Sequence, residues 1–335
     1  MNYAEKMRKI AFSKGAESFS LVSQLVLEKS KDDSPLSQAL TYFANVTLNS
    51  ALPIFPALTA LSCEAAGGNA KATVGVAAAI MMIASAADIH DDIIDQTKSK
   101  GSNLTVYGKF GKETAMLAGD SLLMYGFMRL EKECRILAEN EKDAVYSSLI
   151  NAYADLSTAE SLEITLKGAA DLFSAEKLYS IIKLKAAITE MNMSIGAILA
   201  HADETALTRL RCFGRNLGLL STIAEEYIDL VTYKELKNRL KHGYAPLPLL
   251  YALTDVNLNE KLLPLIRKSS FKRVDFEQVT EQVLAATPVQ KLASDMALLA
   301  QNEKESLAFV KNKKVRESLL VFPLAALSYI QEITS

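Results

Sequence analysis

From Val74 to Ala87 the chain is an apolar run with no proline and no charge before Asp88. Such a run predicts a buried helix. Helical spacing recurs in Ala115, Leu117, Ala118, Leu122, Leu123 and Met124, and again in Leu178, Ile181, Ile182 and Leu184. No proline occurs between Pro56 and Pro246, and Ala, Leu, Lys, Glu and Met, all good helix formers, dominate that stretch. No alternating strand run bounded by turn signals and no hairpin dipeptide is visible. The pattern therefore predicts an all-α chain, with long helices around one core and a single domain over residues 1–335. Breaks are expected at Asp32 to Pro35, Pro53 to Pro56, Gly67-Gly68, Lys98 to Asn103 and Gly243 to Pro248. The more polar stretch from Asn257 to Pro288 is expected to be a peripheral helical segment.

Composition adds exclusions. With 50% apolar residues in 335, there is ample material for a sizeable core. A net charge of -2 gives no reason to expect nucleic acid or an anionic membrane surface as partner. Cys63, Cys134 and Cys212 are scattered, without metal spacing, and read as free thiols in a reducing compartment. The start, MNYAEKMRKIAFSKG, is too polar for a signal peptide. The apolar run around residues 72 to 87 is short for a membrane span and ends in carboxylates. A soluble cytoplasmic protein without a transmembrane segment is the expectation.

Chemistry enters at the end of that run, in Asp91-Asp92-Ile93-Ile94-Asp95. On a helix Asp91 and Asp95 are one turn apart and Asp92 flanks them, so three carboxylates share one rim. Carboxylates that close repel one another unless a cation sits among them, and hard oxygen ligands suit Mg²⁺. A second cluster, Glu225-Glu226-Tyr227-Ile228-Asp229, follows the apolar stretch Leu217 to Ala224 and repeats the spacing. Two such clusters on separate helices could clamp Mg²⁺ ions around a diphosphate. The plainer alternative for each is a solvated acidic helix end.

The stretch Ile89 to Asp95, followed by Thr105-Val106 and by GKETAMLAGDSLL from Gly111 to Leu123, resembles the trans-isoprenyl diphosphate synthases. The likeness continues through Lys185-Ala186-Ala187, Gly196-Ala197, Gly214 with Leu217-Gly218, and GYAPLPLLYAL from Gly243 to Leu253. Upstream it takes in Pro53 and Glu64 to Gly68, so that it spans roughly residues 45 to 255 in order. The resemblance implies the isoprenoid synthase fold: one large helical bundle around a deep central cavity, usually in a homodimer. It implies Asp91, Asp92, Asp95, Glu225, Glu226 and Asp229 as metal ligands. The cofactor would be Mg²⁺, three ions with diphosphate bound. The substrate would be an allylic isoprenoid diphosphate, contacted by Lys185 and Lys100. In the family the allylic cation formed on loss of diphosphate is then attacked by isopentenyl diphosphate.

Departures from the family pattern fall on one side of this site. The G-G-K-R-x-R-P segment corresponds to Thr47 through Pro53 here, without its lysine or arginines. The arginine pair after the first acidic motif corresponds to Lys100-Gly101, and the lysine of a later G-K pair to Tyr244. Each missing charge-assisted hydrogen bond removes roughly 1.5–3 kcal/mol. An allylic-diphosphate site retained beside a homoallylic site lost predicts ionisation without isopentenyl diphosphate, as in a terpene synthase. The alternatives are a chain-elongating synthase with a rebuilt homoallylic site, and a degenerate regulatory subunit of a heteromeric synthase. Glu225 and Asp229 occupy the first and fifth positions of the usual second motif of terpene synthases, with Tyr233 at the ninth.

Several residues have two readings. Asp88 could be a further ligand or base, or a partner for a nearby basic side chain. Lys237, Arg239, Lys241 and His242 could supply a substitute cation, or form a solvated face. Glu160 and Glu163 could shape the pocket or pair with lysines. His90 is expected to be packed and hydrogen-bonded, and His201 and His242 to lie at the surface. Small residues at Ala86 and Ala87 imply a deep pocket and a substrate of about fifteen to twenty-five carbons, unless they serve only close helix packing.

Overall fold

The computed structural model describes residues 2–166, 174–268 and 270–335. Among these, regular structure is helical except for one ladder, Ser99–Lys100 paired antiparallel with Asn103–Leu104. The predicted all-α class therefore holds, with one correction at the Lys98 to Asn103 break. That break is a minimal hairpin, turned by Gly101 at a φ of +61°. Strands of two residues are too short to show alternation in sequence, and Gly-Ser is not among the strongest hairpin signals.

The remaining breaks fall where expected, each for a local reason. Ser34 caps the Pro35–Tyr42 helix, its hydroxyl accepting from the Ser37 amide, and Pro35 takes the first turn, where no donor is needed. Pro53 precedes the Ile54–Ala65 helix, which ends before Gly67 at a φ of +91°. Pro246 opens the Leu247–Ala252 helix.

Packing, expected around one core, gathers into two compact units. The first comprises Arg8–Tyr146 and Asn192–Leu207; the second comprises Met1–Met7, Ser147–Met191 and Thr208–Ser335. The chain passes from one to the other inside four helices, Tyr3–Lys29, Glu139–Leu166, Ala187–Ile198 and Glu204–Val231. The sequence carries no mark of these passages because no helix ends there.

In the first unit, the Val74–Ile94 helix lies along the Lys112–Cys134 helix, and glycines set their approach. A Cβ at Gly126 would stand 2.6 Å from Ile83 Cγ1 and 2.9 Å from the Ala79 carbonyl oxygen. A Cβ at Gly75 would meet the Glu133 carboxylate, and one at Gly119 would meet the His90 ring. The three contacts run in opposite senses along the two helices, so the pair is antiparallel. Phe19, Val22, Val26, Leu40 and Phe43 share a buried core with Met82 and Leu122 of the pair.

The apolar helix is longer than its apolar run. From Ala70 to Ile94 it is long and apolar enough to cross a membrane by length and composition, which corrects the expectation of too short a run. Within the fold, 67% of that apolar window is buried.

The second unit buries Leu220, Tyr227, Leu249, Val279, Val283, Leu292 and Ile330. The stretch from Asn257 to Pro288 is not peripheral, as its polarity suggested. Leu262, Val279 and Val283 are fully buried. Its two helices, Val256–Ile266 and Arg273–Leu284, are amphipathic, and averaging over both faces hides the inward stripe.

Gly126→Val forces a branched side chain against the Ala79 carbonyl and Ile83. It is expected to destabilise the protein by about 1–3 kcal/mol, read as a lower urea midpoint with an unchanged slope.

Candidate active site

Both acidic motifs sit on the last turns of long helices. Asp91, Asp92 and Asp95 close the Val74–Ile94 helix, and Glu225, Glu226 and Asp229 end the Glu204–Val231 helix. A helix C-terminus is the negative pole of its dipole, where further negative charge is unfavourable. Both positions are therefore biased towards binding a cation.

The first motif belongs to the first unit. Its helix ends with Gln96 in the left-handed region at a φ of +55°. The Thr97 amide donates to the Asp92 carbonyl at 2.9 Å, and the Asp95 amide to the Asp91 carbonyl at 2.8 Å. This Schellman-type cap fixes the backbone on which the aspartates stand. Asp92 is buried, 4% exposed. Lys100, on the hairpin, places its Nζ 3.0 Å from Asp92 Oδ1 and 2.7 Å from Asp88 Oδ1. Asp88 is thus the partner of a basic side chain, the second of its two readings. Lys100, expected at the substrate diphosphate, stands here between two carboxylates. Burial pushes the Asp92 carboxyl up to about 6, against the opposing pull of Lys100. Burial pulls the other way on Lys100, and Asp88 and Asp92 together hold its ammonium above its ordinary value. His90 packs on Gly119 with Nε2 3.4 Å from Asp120 Oδ1.

The second motif belongs to the second unit. Tyr227, at its centre, is fully buried and donates its hydroxyl to the Val289 carbonyl at 2.9 Å. That bond anchors the turn carrying the acids. Glu226 is 9% exposed and receives four bonds. Arg239 supplies three of them, Nη1 and Nη2 to Oε1 at 3.0 Å each and Nη2 to Oε2 at 2.9 Å; the Leu247 amide supplies the fourth at 2.7 Å. Arg239 Nη1 also donates to Asp229 Oδ2 at 2.7 Å. The guanidinium lies 4.9 Å from the centre of the Tyr244 ring.

Of the basic run, Arg239 turns inward while Lys237, Lys241 and His242 stay exposed. The sequence left both readings open, and the signal that separates them is spacing. Tyr233, Leu236 and Arg239 recur every third residue on the Tyr233–Lys241 helix, whose Leu236 is fully buried.

Lys185 lies between two carboxylates, 3.0 Å from Glu160 Oε1 and 2.9 Å from Glu163 Oε1. Glu160 and Glu163 therefore pair with a lysine, the lysine expected to touch diphosphate. Glu225 faces solvent, yet protein surrounds it on most sides. That crowding, with repulsion from Asp229 and Glu226, pushes its carboxyl up to about 7, and Lys185 pulls it down in part. A divalent cation beside a carboxyl raised in this way would return it to its ionised form.

Among the described residues, no three His, Cys, Asp or Glu side chains form a cage able to hold a metal ion alone.

The comparisons with known proteins bear on the family and the fold. Residues 36–283 match the family model described as polyprenyl synthetase. The chain is 27% identical over 274 residues to a short chain isoprenyl diphosphate synthase of Methanothermobacter thermautotrophicus, covering 79% of this chain and 82% of that protein. It is 23% identical over 276 residues to a geranylgeranyl diphosphate synthase of Saccharolobus solfataricus, with the same coverage, 79% and 82%. In structure it is similar to a geranylgeranyl pyrophosphate synthetase from Pyrococcus horikoshii, with a TM-score of 0.84 and 22% identity over 97% of this chain and 98% of the other. A polyprenyl synthase from Caulobacter crescentus, crystallised with calcium and isoprenyl diphosphate, gives 0.79 and 21% over 96% and 97%. The expected isoprenoid synthase fold is the fold observed.

Asp92 gives a pH prediction. Its folded pKa of about 6 lies above the ordinary 3.8, so the fold is favoured by its proton, and that stability is lost as pH rises through this window. In metal-free buffer, Asp92→Asn is expected to raise the urea midpoint at pH 7 and leave it unchanged near pH 4. A lower midpoint at pH 7 would contradict the assignment.

Proposed function

The chain belongs to the polyprenyl synthetase family, and from that premise we propose that it is a chain-elongating trans-isoprenyl diphosphate synthase. It would join an allylic prenyl diphosphate to isopentenyl diphosphate. The observation that carries this reading is the likeness, over 79% of the chain, to a short chain isoprenyl diphosphate synthase.

The reaction breaks the bond between C1 of the allylic substrate and its diphosphate. The double bond of isopentenyl diphosphate then forms the new carbon–carbon bond at C1, and a proton is lost. When bound, Mg²⁺ would neutralise the departing diphosphate. Asp91 and Asp95 in the first unit, and Glu225 in the second, are carboxylates suited to hold such ions. Lys100 in the first unit and Lys185 in the second are the cations suited to meet diphosphate oxygens. The Gln96 cap and the Tyr227 hydroxyl each fix the acidic turn of their own unit.

The sequence put ionisation without isopentenyl diphosphate first; the relatives support elongation more strongly. One observation keeps the other reading alive. The segment from Thr47 to Pro53 carries no cation, and Leu48 within it is 1% exposed. The test is incubation with Mg²⁺ and ten-, fifteen-, twenty- or twenty-five-carbon allylic diphosphates, each with and without isopentenyl diphosphate. Longer diphosphates formed only when isopentenyl diphosphate is present are expected. Hydrocarbon or alcohol formed without it would establish the terpene-synthase reading instead. Asp91→Asn should lower turnover by about a hundredfold or more, since charge neutralisation at the leaving group is the main catalytic term.

Self-association belongs to the same reading. Opposite its glycine face, the Lys112–Cys134 helix exposes Leu117, Met124 and Met128 at 53%, 58% and 63%. An apolar stripe of this kind supports an interface with a second copy of the chain. Leu117→Glu combined with Met128→Glu is expected to shift the protein to monomer in sedimentation. An unchanged mass would remove this surface from consideration.

A further inference from the structure

Arg239 stands out among the charged side chains of the second unit. Its side chain is 9% exposed, and both terminal nitrogens are spent on the acidic motif, bidentate on Glu226 and single on Asp229. A bidentate guanidinium–carboxylate pair is the strong and geometrically selective form of this contact.

The arrangement is built from several directions. Tyr233 and Leu236 seat the short helix that carries Arg239. The Tyr233 ring meets Phe276 edge-on at 5.5 Å between centroids, and its hydroxyl donates to the Phe271 carbonyl at 3.3 Å. Tyr244 supports the guanidinium face. The Leu247 amide takes the remaining lone pair of Glu226 Oε2 at 2.7 Å. The positive charge is thus lodged where Glu226 and Asp229 converge, the position a divalent ion bridging those two carboxylates would need.

We infer that Arg239 is the resident cation of the second acidic motif and takes the place of a metal ion there. Glu226 is then a structural partner of Arg239 and not a metal ligand. Metal is left to Glu225 in this motif and to Asp91 and Asp95 in the first. The inference rests on the metal-assisted reading above, and it reduces the three-ion complement expected from the sequence by the ion that would join Glu226 to Asp229. The second acidic motif then carries one fixed positive charge at all magnesium concentrations, and only the remaining carboxylates respond to the ion.

The test counts metal, not product. Mn²⁺ binding to the full chain is followed by electron paramagnetic resonance with inorganic diphosphate present. Glu226→Gln, which keeps the shape and two of the acceptor positions, is expected to bind the same number of ions as the unaltered protein, with affinity within about twofold. Asp91→Asn should lose an ion. The paired variant Glu226→Gln with Arg239→Gln leaves no buried charge uncompensated, so it keeps the test open if a single change at Arg239 does not fold. It should likewise bind the same number. Loss of an ion in Glu226→Gln, or a weakening of about tenfold or more, makes Glu226 a ligand and overturns the inference. Failure to bind Mn²⁺ with diphosphate at all overturns it as well. Failure of the functional reading is separate: the ion count stands as expected while no allylic diphosphate is turned over.

Discussion

A carboxylate withdrawn from water must be met by positive charge or by a proton, and the described site residues follow from that constraint. At the site residues the chain meets it with its own side chains. Lys100 crosses from the hairpin to Asp92 and Asp88, Lys185 stands between Glu160 and Glu163, and Arg239 spans Glu226 and Asp229. Where internal charge is insufficient, the proton is the remaining remedy, and the raised carboxyls of Asp92 and Glu225 are its sign. Local structure serves the same end. The hairpin after the first acidic motif presents Lys100 to Asp92, and Leu236 seats the helix that delivers Arg239.

This economy of charge explains how acids come to lie at two helix C-termini, the least favourable place for them. Each motif has one acid drawn into the protein and paired there, Asp92 or Glu226, and Asp229 shares the arginine of Glu226. The rest stay nearer solvent, with Asp95 and Glu225 exposed. The paired acid ties the motif to the fold, and its neighbours are left to deal with a ligand. One sequence pattern thus serves two purposes.

Much of this was legible in the sequence because it depends on local spacing. The helix through Val74 to Ala87 follows from its uninterrupted apolar run, and the positions of Asp91, Asp92 and Asp95 follow from the helix. What escaped depends on partners distant in sequence or on very short elements. The inward turn of Arg239 requires Glu226, thirteen positions earlier, and a basic run reads the same whether or not one member is buried. The hairpin beside Lys100 has two residues per strand. The passages between the two units lie inside continuous helices, where composition has no reason to change. The buried stripe of Val279 and Val283 was hidden by the polar face that shares their helix.

The glycine contacts between the Val74–Ile94 and Lys112–Cys134 helices have an evolutionary consequence. Gly75, Gly119 and Gly126 fix how far one helix can slide along the other, and none of these contacts uses a carboxylate of the first motif. The height of the acidic turn is thus set independently of its chemistry. Rim positions such as Asp88, exposed and outside the packed seam, can be exchanged without disturbing the scaffold. A lineage can accordingly revise which charges surround its substrate while inheriting the frame unchanged.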